Sequence, residues 1–191
     1  DVSTLGLARM RRAISVIPQD PAVHRGTVRH NLDPFGDFGE AELRQELATT
    51  RLDGALQLDA EIEKGGSNLS SGERQLLCFA RALLYRRPIL VLDEATSNLD
   101  AASDERMQQL LRSEFESTTL VTIAHRLQTI IDYDTIFVLS RGKLVEHGSP
   151  TTLLKMEGGA LKSMAVALGA EGEAALRERA AAGAGRQVQR A

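Results

Sequence analysis

Two patches of this sequence could do chemistry. In the first, four apolar residues, Ile89-Leu90-Val91-Leu92, run straight into two carboxylates, Asp93 and Glu94. A buried parallel strand delivers acids to the carboxyl edge of a sheet in this way, and that edge is where ligands bind. In the second, Ser70 and Glu73 have the spacing of a capping box, and Leu76, Leu77, Ala80, Leu83 and Leu84 follow at helical intervals. With Gly72 in its first turn, such a helix offers unpaired N–H groups and the positive end of its dipole to an anion such as a phosphate. Each pattern alone has an ordinary account, as a cap or as a turn. Two further polar residues stand at strand ends. Gln19 follows Ile14-Ser15-Val16-Ile17, a strand stopped by Pro18, and His125 follows Thr119-Leu120-Val121-Thr122-Ile123. Taken singly, the first reads as a turn residue and the second as a packed histidine.

The elements that position these residues alternate between strand and helix. Residues 1–13 read as a short helical or loop segment carrying Arg9, Arg11 and Arg12, a solvated basic face. From Glu40 to about Leu58 the spacing of Leu43, Leu47, Leu52 and Leu56 predicts two short helices, closed off by the Lys64-Gly65-Gly66-Ser67-Asn68 turn. Asp100 is placed to cap a helix holding Met107, Leu110 and Leu111. Strands at Thr135–Leu139 and Lys143–His147 form a hairpin through Ser140-Arg141-Gly142, and Ser149-Pro150 opens a helix to about Met156. Beyond Gly158-Gly159 the chain is rich in Ala, Gly, Glu and Arg, with helical potential to about Ala182 and a disordered end expected after it.

Composition narrows the class. At 191 residues and 42% apolar content the chain can bury one good core. A net charge of −3 and a pI near 5.9 give no basic footprint, which argues against nucleic acid as a partner. The single cysteine, Cys78, reads as a small core residue, and no Cys/His metal cluster is present. No apolar run reaches the ~20 residues that cross a bilayer, and the start resembles no signal peptide. The chain begins at Asp1 within a region that reads as ordered, so a fragment of a longer protein is expected.

The patches together resemble one family. Leu69-Ser70-Ser71-Gly72-Glu73-Arg74 resembles the signature loop of ATP-binding-cassette (ABC) proteins, Ile89–Glu94 their Walker B strand and Ser97-Asn98-Leu99-Asp100 their D-loop, in matching order and spacing. Ile17-Pro18-Gln19-Asp20-Pro21 is similar to the Q-loop, and Thr122-Ile123-Ala124-His125-Arg126 to the H-loop, or switch. Asn31-Leu32-Asp33-Pro34-Phe35 looks like the second, C-terminal cassette of the multidrug-resistance-associated exporters. The resemblance covers about residues 1–157. It implies an α/β fold: a P-loop NTPase-like core of mostly parallel sheet flanked by helices. A small helical subdomain at about 31–68 would precede the signature loop, and a tail would follow at 158–191.

The resemblance also implies roles. ABC domains pair head to tail around two ATP molecules. Ser70, Ser71, Gly72 and Glu73 would then meet the phosphates bound to the partner domain's P-loop, with Asp100 in the loop that crosses to that partner. Asp93 would hold Mg²⁺, Gln19 would complete its shell and relay closure to the transmembrane domains, Glu94 would act as general base, and His125 would orient the attacking water. Two residues depart from the commonest signature: Ser71 stands for the first of two glycines and Glu73 for the usual glutamine. Gly-x-x-x-x-Gly-Lys-Ser/Thr occurs nowhere in the sequence, whose only Gly-Lys pair is Gly142-Lys143. The isolated chain is therefore expected to lack the first strands and the P-loop, to leave apolar sheet surface without its usual cover, and to hydrolyse ATP negligibly. The expected setting is the cytoplasmic face of a membrane, within an exporter of organic anions, conjugates or drugs. The alternatives are a non-hydrolysing regulatory fragment and a soluble ABC ATPase of DNA repair or translation.

Overall fold

The computed structural model describes residues 1–96, 99, 101–124 and 126–190, with the side chains of all but residues 101, 102 and 186–190. The chain divides into two compact units, Asp1–Ile123 and Ala124–Ala191.

In the first unit, a helix α1 (Leu7–Ala13) leads into strand β1 (Ile14–Ile17), which Pro18 ends. Gly26–Thr27 (β2) and Glu61–Ile62 (β3) form a small antiparallel ladder, and between them lie α2 (Val28–Leu32) and α3 (Glu40–Thr49). Only the first of the two helices expected between residues 40 and 58 forms. The Thr50 hydroxyl donates to the carbonyls of Glu46 and Leu47, Arg51 turns into left-handed backbone at φ 56°, and residues 51–59 continue as turns. Leu52, Leu56 and Leu58 are buried all the same, because a turn can bury leucines that match no helical face.

The long helix α4 (Ser71–Tyr85) buries nearly every residue from Gln75 to Leu84. It is followed by β4 (Ile89–Asp93), α5 (Ala101–Glu114) and β5 (Thr119–Ile123). The sheet is parallel, in the order β1-β4-β5, with Val16, Val91 and Val121 in register. Pleating splits its side chains. Ile17, Leu90 and Leu92 point into the core that includes Phe79 and Phe115, which meet edge to face at 5.5 Å. Val16, Val121 and Ile123 on the other face are 58, 48 and 54% exposed.

The second unit begins with α6 (Leu127–Ile130) and a hairpin of β6 (Ile136–Ser140) and β7 (Lys143–Gly148). Its two-residue turn puts Arg141 at φ 49° and Gly142 at φ 75°, the left-handed pair that matches strand twist. α7 (Pro150–Leu153) is capped by the Ser149 hydroxyl, which accepts from the Thr152 N–H. Two more helices follow, α8 (Ala160–Val166) and α9 (Gly169–Arg190). The Glu146 carboxylate accepts the N–H groups of Ala160 and Leu161 and so caps α8. Helix α9 runs past Ala182, where composition ended it. Leu176 and Ala180 are buried with Ile131, Ile136 and Leu153 in this unit's own core.

Candidate functional site

The sheet register explains why Gln19 and Glu94 meet. Parallel pairing ends with Ile17 against Leu92, so Gln19 and Glu94 each follow two residues after that last pair, at the same end of the sheet. The Gln19 Nε2 donates to Glu94 Oε2 at 3.1 Å, joining positions 75 apart in sequence. Glu94 lies just beyond the end of β4 at φ 46°, left-handed backbone that costs a non-glycine residue of order 1 kcal/mol. Its N–H is held by the carbonyl of Ile123 at 3.0 Å, so β5 fixes the strained turn that aims the carboxylate. Asp93, the last strand residue, is exposed beside it.

The second patch is a formed capping box. Ser70 Oγ accepts the Glu73 N–H at 3.2 Å, while Glu73 Oε2 accepts the Ser70 N–H at 2.8 Å and the Ser70 hydroxyl at 2.7 Å. A Cβ at Gly72 would meet only Leu99 Cδ2, at 3.8 Å, so nothing within the described fold demands a glycine there. Gly66 is different: at φ 70° its Cβ would lie 2.6 Å from Val23 Cγ2 and 2.7 Å from Arg74 Cδ. That close approach lets the Arg74 guanidinium donate to the carbonyls of Gly66 and Leu69, pinning the preceding loop to the start of α4.

Four polar residues that the sequence reading left without chemistry, Gln75, Asn31, Arg81 and Asp33, hold the segments around α4 in place. Gln75, almost fully buried, donates from Nε2 to the Pro18 carbonyl at 3.2 Å, so α4 grips the chain one residue before Gln19. Its signal in the sequence was an amide beside the apolar run Leu76–Leu84. Asn31 accepts the His24 N–H and donates to the carbonyls of His24 and Thr27, folding the loop after β1. Arg81 donates to the carbonyls of Asn31 and Ala22. Asp33 accepts the N–H groups of Asp37 and Phe38 and the Tyr85 hydroxyl. Burial pushes the Asp33 carboxyl up, but those donors outweigh it and hold the group below its ordinary value. The Asn31–Phe35 run is thus a folding device. Cys78 is a free, buried thiol raised by burial, with no sign of reactivity. His125 and Asp100, with Ser97 and Asn98, lie outside the described residues.

The donor set at the sheet edge fits Mg²⁺. Asp93 and the Gln19 Oε1, left over when Nε2 binds Glu94, are hard oxygens, and Mg²⁺ takes one or two protein oxygens and completes its shell with phosphate oxygens and water. Among the described residues no group of three His, Cys, Asp or Glu side chains gathers to form a closed protein cage.

Comparison with known proteins gives the site its context. A model of the family described as ABC transporter matches residues 1–97. The chain belongs to the ABC transporter family. ABC domains bind ATP, generally with Mg²⁺, and ABC exporters carry a second nucleotide-binding domain and transmembrane domains. This ABC chain is 47% identical over 163 residues to ATP-binding cassette sub-family C member 2 of Rattus norvegicus, covering 83% of itself and 11% of that protein. It is 40% identical over 190 residues to the ATP-dependent bile acid permease of Saccharomyces cerevisiae, covering 86% of itself and 11% of the permease. Its fold matches a bacterial Atm1-family ABC exporter with ATP bound at a TM-score of 0.80 and 32% identity, over 89% of this chain and 31% of the exporter chain. The chain therefore spans about a tenth of the length of the curated relatives it matches. Among the described residues no helix is long and apolar enough to cross a membrane.

Proposed function

We propose that this chain is part of the C-terminal ATP-binding cassette of an exporter of organic anions, conjugates or drugs, seated on the cytoplasmic face of the membrane beside that protein's transmembrane domains and a second cassette. The observation that carries the reading is the hydrogen bond from Gln19 to Glu94 beside Asp93, on the carboxyl edge of a parallel sheet. That edge gathers the groups that hydrolysis of a phosphoanhydride needs. Glu94 takes the proton of the attacking water, a contribution of about 10²–10⁴-fold for a well-placed general base. Gln19 holds the Glu94 carboxylate through Nε2 and offers Oε1 to Mg²⁺, with Asp93 as the second oxygen ligand. The metal, when bound, neutralises charge on the transferring phosphoryl group. His125 orients the water. Ser70, Ser71 and Gly72 act on the other cassette's nucleotide from the amino end of α4, and Asp100 lies in the segment that reaches that cassette. Residues 1–157 belong to the cassette, with about 31–68 as its helical subdomain and 158–191 as an appended tail.

With no Gly-x-x-x-x-Gly-Lys-Ser/Thr loop to cradle phosphates, the chain by itself hydrolyses ATP negligibly. The test is ATP-dependent uptake of an anionic conjugate into inside-out vesicles bearing the full-length protein. Uptake by the wild type and its loss in Asp93→Asn support the reading; equal uptake by both overturns it.

A further inference from the structure

We propose that Glu73 is a stand-in anion at the amino end of α4, holding the place of a nucleotide phosphate and so weakening the grip of the signature loop on ATP. This rests on the assignment of that loop to the other cassette's nucleotide. An ordinary capping box needs the serine oxygen only as an acceptor and the acid only to accept the serine N–H. Here the Glu73 carboxylate also accepts a hydrogen bond from the Ser70 hydroxyl, at 2.7 Å, the one such bond that hydroxyl can donate. A phosphate reaching Ser70 finds its donor already committed.

Among the described residues Glu73 has no ion-pair partner, and the nearest cation in sequence, Arg74, is turned away onto the carbonyls of Gly66 and Leu69. Among the described residues only Leu99 comes near a Cβ at Gly72, and α-helix geometry leaves the Gly72 N–H without an intrahelical acceptor. The ligand therefore meets a donor spent within the chain and a like charge. Glu73 acts in two ways, by its charge on the ligand and by the hold of its oxygen on the Ser70 hydroxyl.

Glu73→Gln separates charge from cap. The amide keeps an oxygen for the Ser70 N–H, so the helix start persists, while the negative charge goes. In the full-length exporter, the KM for ATP falls about three- to tenfold, the size expected for one charge a few ångströms away near a wet surface, and exceeds any change in kcat. Raising salt from 50 to 500 mM narrows the wild-type to Glu73→Gln ratio, because screening already removes part of the repulsion. Glu73→Asp, which keeps the charge, leaves KM at or above the wild-type value. A KM for Glu73→Gln equal to or above wild type, or a ratio indifferent to salt, overturns the proposal. Ser70→Ala isolates the underlying assignment: if it raises KM while Glu73→Gln changes nothing, only the stand-in role of Glu73 fails. If Ser70→Ala has no effect either, the loop assignment itself fails.

Discussion

Gly72 sets stability against function at the level of one residue. Its backbone is helical and its Cβ position is open, so Gly72→Ala should stabilise the chain by about 0.5–1 kcal/mol in urea unfolding. On the proposed role of this loop the same methyl would meet the other cassette's phosphate, so ATP turnover of the full-length protein should drop. A destabilised Gly72→Ala, or one that keeps full turnover, would contradict that account. Glu46 tests burial. It sits at 3.9 Å from Arg86, which also pairs with Glu114 at 3.1 Å, and its Oε2 is buried without a hydrogen-bond partner among the described residues. Burial raises its pKa, Arg86 pulls it back and Glu114 pushes it up again. The folded state therefore holds this proton more tightly than the unfolded chain, and stability falls as pH rises from about 4.3 through the raised value. Glu46→Gln removes that loss, so its Tm should exceed wild type by about 1–3 °C at pH 8 and match it at pH 4, read by thermal melts. Asp93, Glu94, Ser70 and Glu73 were legible because each belongs to a local pattern of strand end or cap. Gln75, Asn31 and Asp33 were not, since their partners lie on other segments and no local spacing encodes them.

Helix α9 shows what an element hides in composition. Its Ala- and Gly-rich stretch read as weakly helical and then disordered, yet Leu176, Ala180 and Gly183 recur at intervals of four and three on one buried face. A Cβ at Gly183 would lie 2.8 Å from the Asp132 carbonyl oxygen and 2.9 Å from its Cα, so the small residues are there for close packing. Gly185 meets nothing within 4 Å. Gly183→Ala should cost about 1–3 kcal/mol by overpacking and Gly185→Ala should gain about 0.5–1 kcal/mol, both measured by chemical unfolding. Equal effects would show that the contact at Asp132 does not matter. The same distinction explains the segment after α3. Leucine spacing suggested a helix there, but Asp53-Gly54 and the left-handed Arg51 favour turns, and burial alone did not tell the two apart.

At the scale of the whole molecule, the parallel sheet is the frame. Alternating strands and helices with acids at a strand end made an α/β architecture readable, and the order β1-β4-β5, with the Gln75 bond to Pro18 and the Ile123 bond to Glu94, places Gln19 next to Glu94. One face of that sheet, with Val16, Val121 and Ile123, is open in this chain, an apolar patch of the kind that binds other apolar surfaces. Replacing Val16 and Val121 with Thr should lower binding of an apolar dye and reduce self-association in sedimentation, with the Tm changed by no more than about 2 °C. Unaltered dye binding would place the sticky surface elsewhere. The central claim is that the carboxylate held by Gln19 is the base for ATP hydrolysis, and steady-state turnover of the full-length Glu94→Gln protein tests it most directly. The account predicts turnover down by at least about 100-fold with ATP still bound; turnover within about twofold of wild type would contradict it.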